Sequence, residues 1–174
     1  QNGEVWNANN EDGWHIPENV YLNVYPKRPG SLFGYVTLTH DNADTPNIQG
    51  GINEAGLTFD FNALDREYPV KNRAAKRPFP HSDENVLPHM LANFHTVEEV
   101  VSYFDKHWLA SDKIFTKSQM HVADKQGHFA IVGPSGSRIL TDGSFQVSTN
   151  FNICDDQDGS SCWRFPIVTE GLRK

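Results

Sequence analysis

The chain has 174 residues, of which 37% are hydrophobic and 21% charged, and we expect a single globular domain over residues 1–174. Fifteen Lys and Arg residues against 22 Asp and Glu residues give a net charge of -7, which argues against nucleic acid as a partner, because phosphate binding draws on Lys and Arg. The mean hydropathy is -0.57 and no apolar run approaches ~20 residues, so we expect no membrane span. The sequence does not decide between a cytoplasmic protein and a periplasmic or secreted one.

The first fourteen residues combine a turn, a strand-like stretch and a polar cluster. Asn2-Gly3 is a typical hairpin turn, and Glu4–Asn9 is predicted to be the strand that follows it. Asn9-Asn10-Glu11-Asp12-Gly13-Trp14 then places amide and carboxylate groups beside a bulky aromatic residue. Because a hairpin turn joins two strands, we expect a further strand before Gln1.

Two β-hairpins are predicted next. The first joins Val20–Tyr25 to Leu32–Thr39, and the second joins Asn47–Asn53 to Leu57–Asn62. Residues 57–62 alternate apolar and polar side chains, which indicates a strand with one buried face.

The period of the pattern then changes from strand to helix. Ser82-Asp83-Glu84-Asn85 offers helix caps before an apolar pattern with helical spacing from Val86 to Phe94. A second helix is predicted from Thr96, which forms a capping-box pattern with Glu99, to about His107.

The last part of the chain returns to strand-like patterns. We predict strands at Gln119–Asp124, His128–Gly133, Ser137–Leu140 and Phe145–Asn150, and no further helix or strand after them, the chain ending shortly after Ile167-Val168. Strands, then helices, then strands are typical of an α+β fold, in which helices cover a mainly antiparallel sheet.

Cysteine and histidine patterns give no clear site. Cys154 and Cys162 are compatible with a disulfide or with two free thiols, and neither has a neighbouring His in sequence. The eight histidines lack metal-ligand spacing, and Asp155–Gly159 lacks the acid spacing of a calcium loop. We therefore expect no metal and no cofactor.

Polar residues that follow or end strand-like stretches form the remaining candidates. They are Asn9, Asn10, Asp12, Asn62, Asn150 and Arg164. Asn at the end of a strand is also typical of a plain turn, so the order of these residues along the chain carries more information than any single one.

Four motifs in this order resemble the choloylglycine hydrolase, or linear amide C-N hydrolase, family of N-terminal-nucleophile hydrolases, which includes bile salt hydrolases and penicillin V acylases. The first motif is Asn9–Trp14, and the second is Gly50–Leu57, similar to a Gly-x-Asn-Glu-x-Gly-Leu hairpin. The third runs from Val122 to Val132 around Asp-Lys-x-Gly, and the fourth is Ser148–Phe151 with the later Arg164. The resemblance covers nearly the whole chain.

The resemblance implies an αββα sandwich of mainly antiparallel sheets, incomplete at both ends in this chain. It also implies hydrolysis of a linear, non-peptide amide by an N-terminal cysteine that would lie just upstream of Gln1. The α-amine of that cysteine would serve as the base, since its ordinary pKa of ~7.7–8.0 is near working pH. The partner would be a small-molecule acyl amide, and assembly into a homo-oligomer stays open.

Carried over by motif, the catalytic residues are Asp12, Asn62, Asn150 and Arg164. Asp12 would orient the α-amine, Asn62 would donate its side-chain amide to the oxyanion beside Asn150, and Arg164 would favour the thiolate. Asn9, Asn10 and Trp14 would contact the substrate. Bile salt hydrolases have Arg in place of Asn9, so neither a bile salt nor a penicillin is implied as substrate.

Two other hypotheses remain at this level. In the first, the protein is a catalytically inactive relative that binds an amide metabolite or a protein partner. This hypothesis is prompted by the missing cysteine and by Asn9. Alternatively, it is a thiol enzyme that uses Cys162.

Overall fold

A computed structural model describes most of the chain. The described residues are 4–9, 19–40, 47–80, 86–108, 114–141, 145–156 and 162–173.

Nine strands are present in these ranges. In chain order they are β1 Val20–Tyr25, β2 Tyr35–His40, β3 Asn47–Asn53, β4 Thr58–Ala63, β5 Arg77–Pro78, β6 His107–Trp108, β7 Ser118–Ala123, β8 Phe129–Gly133 and β9 Gly136–Leu140. Seven of them form one antiparallel sheet in the order β1-β2-β3-β4-β7-β8-β9. The two-residue strands β5 and β6 pair separately and in parallel. The two predicted hairpins, β1–β2 and β3–β4, are confirmed.

The helices of the described residues are α1 Val86–Asn93, α2 Val97–Lys106, the single turn α3 Ile114–Lys117, and α4 Arg164–Leu172. The two predicted helices, α1 and α2, are confirmed, and α2 begins with the predicted capping box of Thr96 and Glu99. The caps predicted at residues 82–85 lie outside the described residues. No helix in the described ranges has the length and apolar character needed to cross a bilayer.

Three expectations about elements are wrong. Glu4–Asn9 and Phe145–Asn150 form no strand, and the helix α4 follows where no further element was predicted. Both polar segments are tied to the sheet by side-chain hydrogen bonds, and a strand ladder is not needed to hold them. Helix α4 tolerates Pro166 because this residue lies in the first turn, where its missing N–H has no intrahelical acceptor.

One face of the sheet is covered by α1 and α2. Phe59, Phe61, Met120 and Val122 point to this face and join the apolar residues of both helices in the main core. A Cβ added at Gly51 would lie 2.8 Å from the Val36 carbonyl oxygen, which cannot move away as a side chain can, and 2.7 Å from Leu91 Cδ1, so the glycine avoids a clash where α1 meets β3. The described chain is therefore an α+β structure, as predicted.

The opposite face, called here the outer face, is covered unevenly. Residues 4–9 lie over β4, and the segment 145–156 with α4 packs over β8 through a second apolar cluster of Ile131, Phe151, Ile153 and Cys162. Beyond these segments the outer face carries an exposed apolar stripe on β1 and β3. Its members are Val20 (55% exposed), Leu22 (70%), Val24 (67%) and Ile52 (49%).

Candidate active site

The polar end of β4 lies on the outer face. Because side chains alternate along a strand, Asp60 and Asn62 point away from the core that holds Phe59 and Phe61. In the pairing with β7, Asp60 is opposite His121, and Asn62 is opposite Gln119. Four polar side chains of two central strands therefore share one small area of the sheet.

Residues 4–9 border this area on one side. Asn7 Nδ2 donates to Thr58 Oγ1 (3.4 Å), and Asn9 Nδ2 donates to Asp60 Oδ1 (2.9 Å) and to the Phe61 carbonyl (3.4 Å). Asn7 contacts Thr58 and Asn9 contacts Asp60, so the two chains advance by two residues together. This extended segment therefore runs along β4, over its outer face. Gly50 pairs with Asp60, and a Cβ there would lie 2.8 Å from Asp60 Oδ2, so the glycine leaves room for the carboxylate.

The segment 145–153 borders the area on the other side and is held by Gln119. The Gln119 side chain is fully buried. Its Nε2 donates to the carbonyls of Thr149 (2.9 Å) and Phe151 (2.8 Å), and its Oε1 accepts from the Ile153 amide (3.2 Å). One side chain thus replaces the strand partner that this segment lacks.

The side-chain oxygen of Asn62 has two hydrogen-bonding neighbours. Ser148 Oγ donates to Asn62 Oδ1, and His121 Nδ1 lies 3.3 Å from the same oxygen. Burial lowers the pKa of His121 from 6.5 to about 4, so the imidazole is neutral near pH 7. The Asn62 Nδ2 group makes no hydrogen bond with any described residue.

Asn150 connects the end of β4 to α4. Its Nδ2 donates to the Ala63 carbonyl (2.8 Å), and its Oδ1 accepts a hydrogen bond from the Arg164 guanidinium. Arg164 is the first residue of α4, whose Phe165 ring packs edge-on against Phe151 (centroids 5.1 Å apart). The guanidinium is therefore held at a defined place next to the last residues of β4.

Both cysteines are free thiols, so no disulfide joins them. Burial opposes ionisation of Cys162, but the polar groups of Thr149, Arg164 and Phe165 around the thiol together lower its pKa. Cys154 differs, since burial raises its pKa, and its Sγ donates to the Gly136 carbonyl (3.3 Å).

The structure brings together the predicted site residues that it describes. Asn9, Asn62, Asn150 and Arg164 come from four separate parts of the chain and meet around residues 60–63 through the contacts above. The other predicted residues, Asn10, Asp12 and Trp14, lie outside the described residues.

Sequence reasoning missed four residues of this area: Asp60, Gln119, His121 and Ser148. A signal for two of them was present, because Gln119 and His121 alternate with the apolar residues Met120 and Val122 in a strand-like run. That alternation indicates a polar face opposite the core, but only the pairing of β7 with β4 brings this face to Asn62.

One group of described residues places three potential metal-ligand atoms within 4.8 Å of one another, namely Glu98, Asp124 and His128. His128 Nδ1 lies 2.9 Å from Glu98 Oε1 and 3.7 Å from Asp124 Oδ2. The buried Asp124 carboxylate already accepts from the amides of Val97, Gln126 and His128. It caps α2 and closes the β7–β8 turn, so this cluster has a structural use without a metal.

The sequence matches no protein-family model and no curated protein. Solved structures do match. Penicillin V acylase from Agrobacterium tumefaciens is 24% identical with a TM-score of 0.61, and the match covers 84% of this chain and 49% of that one. A variant of conjugated bile acid hydrolase from Clostridium perfringens is 22% identical with a TM-score of 0.55, covering 83% and 46%.

A second variant of the Clostridium perfringens hydrolase is also 22% identical, with a TM-score of 0.54 and coverage of 74% of this chain and 41% of that chain. The chain thus spans about half or less of the length of these structures. The resemblance predicted from the four motifs is confirmed for the fold, which this chain shares with amide hydrolases of the predicted kind.

Proposed function

We propose that the chain is part of a choloylglycine hydrolase family protein that hydrolyses linear, non-peptide C-N amide bonds of small-molecule acyl amides. The single observation that carries the proposal is the meeting of Asn9, Asn62, Asn150 and Arg164 at the end of β4. The same four residues are candidates on the family resemblance of the sequence alone. Chance turn-forming asparagines would have no reason to gather at one point of a shared fold.

The proposed nucleophile is an N-terminal cysteine outside the given residues. Its thiolate attacks the amide carbon, and the resulting tetrahedral intermediate carries negative charge on the former carbonyl oxygen. As the C-N bond breaks, the leaving amine takes the proton held by the α-amino group of the cysteine. Water then hydrolyses the thioester, which releases the acid and restores the thiol.

Asn62 is the proposed donor to the oxyanion. Its Nδ2 group makes no hydrogen bond with any described residue, while its Oδ1 accepts from Ser148 and faces His121. An amide N–H held in place before the reaction stabilises the developing charge without reorganising in the transition state.

Arg164 is the proposed source of positive charge. The Asn150 side chain holds its guanidinium beside the end of β4, where a cation favours the thiolate and polarises the substrate carbonyl. Asp12 remains the proposed partner of the α-amine, and Asn9, Asn10 and Trp14 the proposed substrate contacts.

The finer architecture is proposed as well. An αββα sandwich requires a second sheet against the outer face, and the exposed Val20, Leu22, Val24 and Ile52 offer an apolar surface for it. The segment 4–9 already lies on this face, in the layer that such a sheet would occupy. We propose residues 1–174 as part of one such domain.

The test uses the full-length gene product. Mass spectrometry and N-terminal sequencing of the mature protein should find cysteine as its first residue, and a panel of acyl amides should be hydrolysed at the C-N bond. A different mature N-terminus would refute the proposal. Ligand binding without turnover across the panel would instead favour the inactive relative.

A second candidate nucleophile is Cys162. The lowered pKa of its thiol and its contact with Arg164 favour it, whereas its burial at 8% exposure opposes access by a substrate. The variant Cys162→Ser separates the two candidates. Loss of all activity would support Cys162, and retained activity would exclude it, with Cys154→Ser as the matched control.

A further inference from the structure

We infer that His121 and Ser148 are positioning residues, which hold the Asn62 amide so that its NH2 group is directed into the site. The inference rests on the proposed function, because it explains how the proposed oxyanion donor is kept in place. His121 lies outside the four motifs that carry the family resemblance, and Ser148 lies in the fourth motif without a role assigned to it there.

The first step concerns which end of the Asn62 amide faces its neighbours. A side-chain amide has an acceptor end and a donor end, and a rotation of 180° exchanges them. Ser148 Oγ and His121 Nδ1 both contact the position assigned to Oδ1. If both neighbours donate, Oδ1 is fixed there, and the NH2 group must point to the opposite side.

The second step concerns the tautomer of His121. Its Nε2 is buried and has no hydrogen-bond partner among the described residues. A proton on Nε2 would therefore be a buried N–H without an acceptor, which is rarer in proteins than an unused acceptor. The neutral ring is thus protonated on Nδ1, which donates to Asn62 Oδ1.

The third step concerns the charge of His121. Protonation of the ring would place an N–H on Nε2 as well, in the same buried position without a partner. Burial accordingly keeps the pKa at about 4, and the ring donates one hydrogen bond through Nδ1 over the neutral range of pH. The orientation of Asn62 does not change across that range.

The register of the sheet places these residues for the task. His121 is opposite Asp60 in the β4–β7 pair and is therefore a diagonal neighbour of Asn62 on the same face. Ser148 arrives from the segment held by Gln119, two residues before Asn150. Two donors on Oδ1 also polarise the amide, which strengthens its N–H groups as donors to an oxyanion.

The kinetic test is a double-mutant cycle in the full-length protein. His121→Leu and Ser148→Ala should each lower kcat about tenfold, the value of one hydrogen bond, with KM nearly unchanged. His121→Asn keeps a donor at the δ position and Ser148→Thr keeps the hydroxyl, so both should restore most of kcat.

In an Asn62→Ala background, His121→Leu and Ser148→Ala should cause no further loss, since both residues act through Asn62. A role limited to structure would instead give additive losses in kcat. Such additive losses would overturn the inference, and so would an unchanged kcat in the single variants.

A second measurement does not depend on activity. Nitrogen chemical shifts of ¹⁵N-labelled histidine in the full-length protein should show His121 as the neutral Nδ1–H tautomer at pH 7. The Nε2–H tautomer would overturn the inference even in an active enzyme. A protein without hydrolase activity would refute the proposed function, and the shifts would still decide how Asn62 is held.

Discussion

The side chains of Asn150 and Arg164 form a direct link between the end of the central strand β4 and the first turn of α4. Asn150 uses its donor end on the Ala63 carbonyl and its acceptor end on the guanidinium. The position of the Arg164 guanidinium therefore depends on the Asn150 side-chain amide, which is itself hydrogen-bonded to the sheet.

This link predicts coupled effects of substitution. Asn150→Ala should release the guanidinium, and both Asn150→Ala and Arg164→Ala should lower kcat/KM on the order of 10- to 100-fold. Because the residues act as a unit, the double variant should lose little more than either single one. Arg173→Ala, at the exposed end of the same helix, is the control, and fully additive losses would contradict the link.

Replacement of the proposed oxyanion donor should act on the chemical step. Asn62→Ala is expected to lower kcat on the order of 100-fold or more, with a small change in KM, because the interaction forms only in the transition state. The measurement is steady-state hydrolysis of an amide that the wild type cleaves. Asn93→Ala removes a side-chain amide whose hydrogen bonds within the described ranges go to His89 on α1, and it should leave kcat unchanged.

The buried His121 predicts a dependence of stability on pH. Its pKa is about 4 in the folded protein and 6.5 in the unfolded chain, so between these values the unfolded state binds more protons. The free energy of unfolding should therefore be highest above pH 6.5, and the contribution of His121 should lower it by on the order of 3 kcal/mol as the pH drops to 4.

Urea titrations from pH 4 to 7.5 measure this dependence in the full-length protein. His121→Asn should flatten the curve over that interval. An equally steep curve for His121→Asn would show that other groups cause the loss at acid pH.

Gln119 should be sensitive to substitution, because its fully buried side chain makes three hydrogen bonds. Gln119→Leu leaves two carbonyls and one amide without their partner, and we expect a loss of about 3–5 kcal/mol in the free energy of unfolding. Chemical denaturation measures the loss. Gln126→Leu, on an exposed turn, is the matched control, and similar values for both variants would contradict the role given to Gln119.

A methyl group at Gly50 should disturb the site through the sheet. The added Cβ would lie 2.8 Å from Asp60 Oδ2 and 3.0 Å from the Phe59 carbonyl, and the backbone oxygen cannot move away as a side chain can. Gly50→Ala should destabilise the protein by about 1–3 kcal/mol and displace Asp60 from Asn9.

Gly171→Ala is the control for this change. No atom lies within 4 Å of a Cβ at this position of α4, so the variant should be neutral or more stable, since Ala favours helix more than Gly does. Thermal unfolding compares the two variants, and an undiminished stability of Gly50→Ala would show that the carboxylate and strand adjust freely.

Much of the fold follows from local patterns. The alternation of Leu57, Phe59 and Phe61 and the capping box of Thr96 each report a structure that neighbouring residues determine. The segment Phe145–Asn150 has the same strand-like composition, but the carbonyls of Thr149 and of Phe151 just after it accept hydrogen bonds from Gln119, which is about thirty residues away in sequence. A local pattern contains no information about such a distant partner.

The candidate site shows the same division. The family resemblance carried by the four motifs points to Asn62, Asn150 and Arg164 as candidates, and the structure places all three around the end of β4. His121 lies outside the four motifs, and its alternation with Met120 and Val122 indicates only a polar strand face. Its neighbourhood to Asn62 arises from the register between two strands separated by more than fifty residues.

The order of the strands also has a consequence for folding kinetics. Neighbours in the sheet follow chain order, except that residues 64–117 are inserted between β4 and β7. Pairing these two strands closes a long loop, and its entropic cost makes it a slow step relative to the short hairpins on either side. Asn62 belongs to one half and His121 to the other, so the contact between them should form only in that slow phase of refolding.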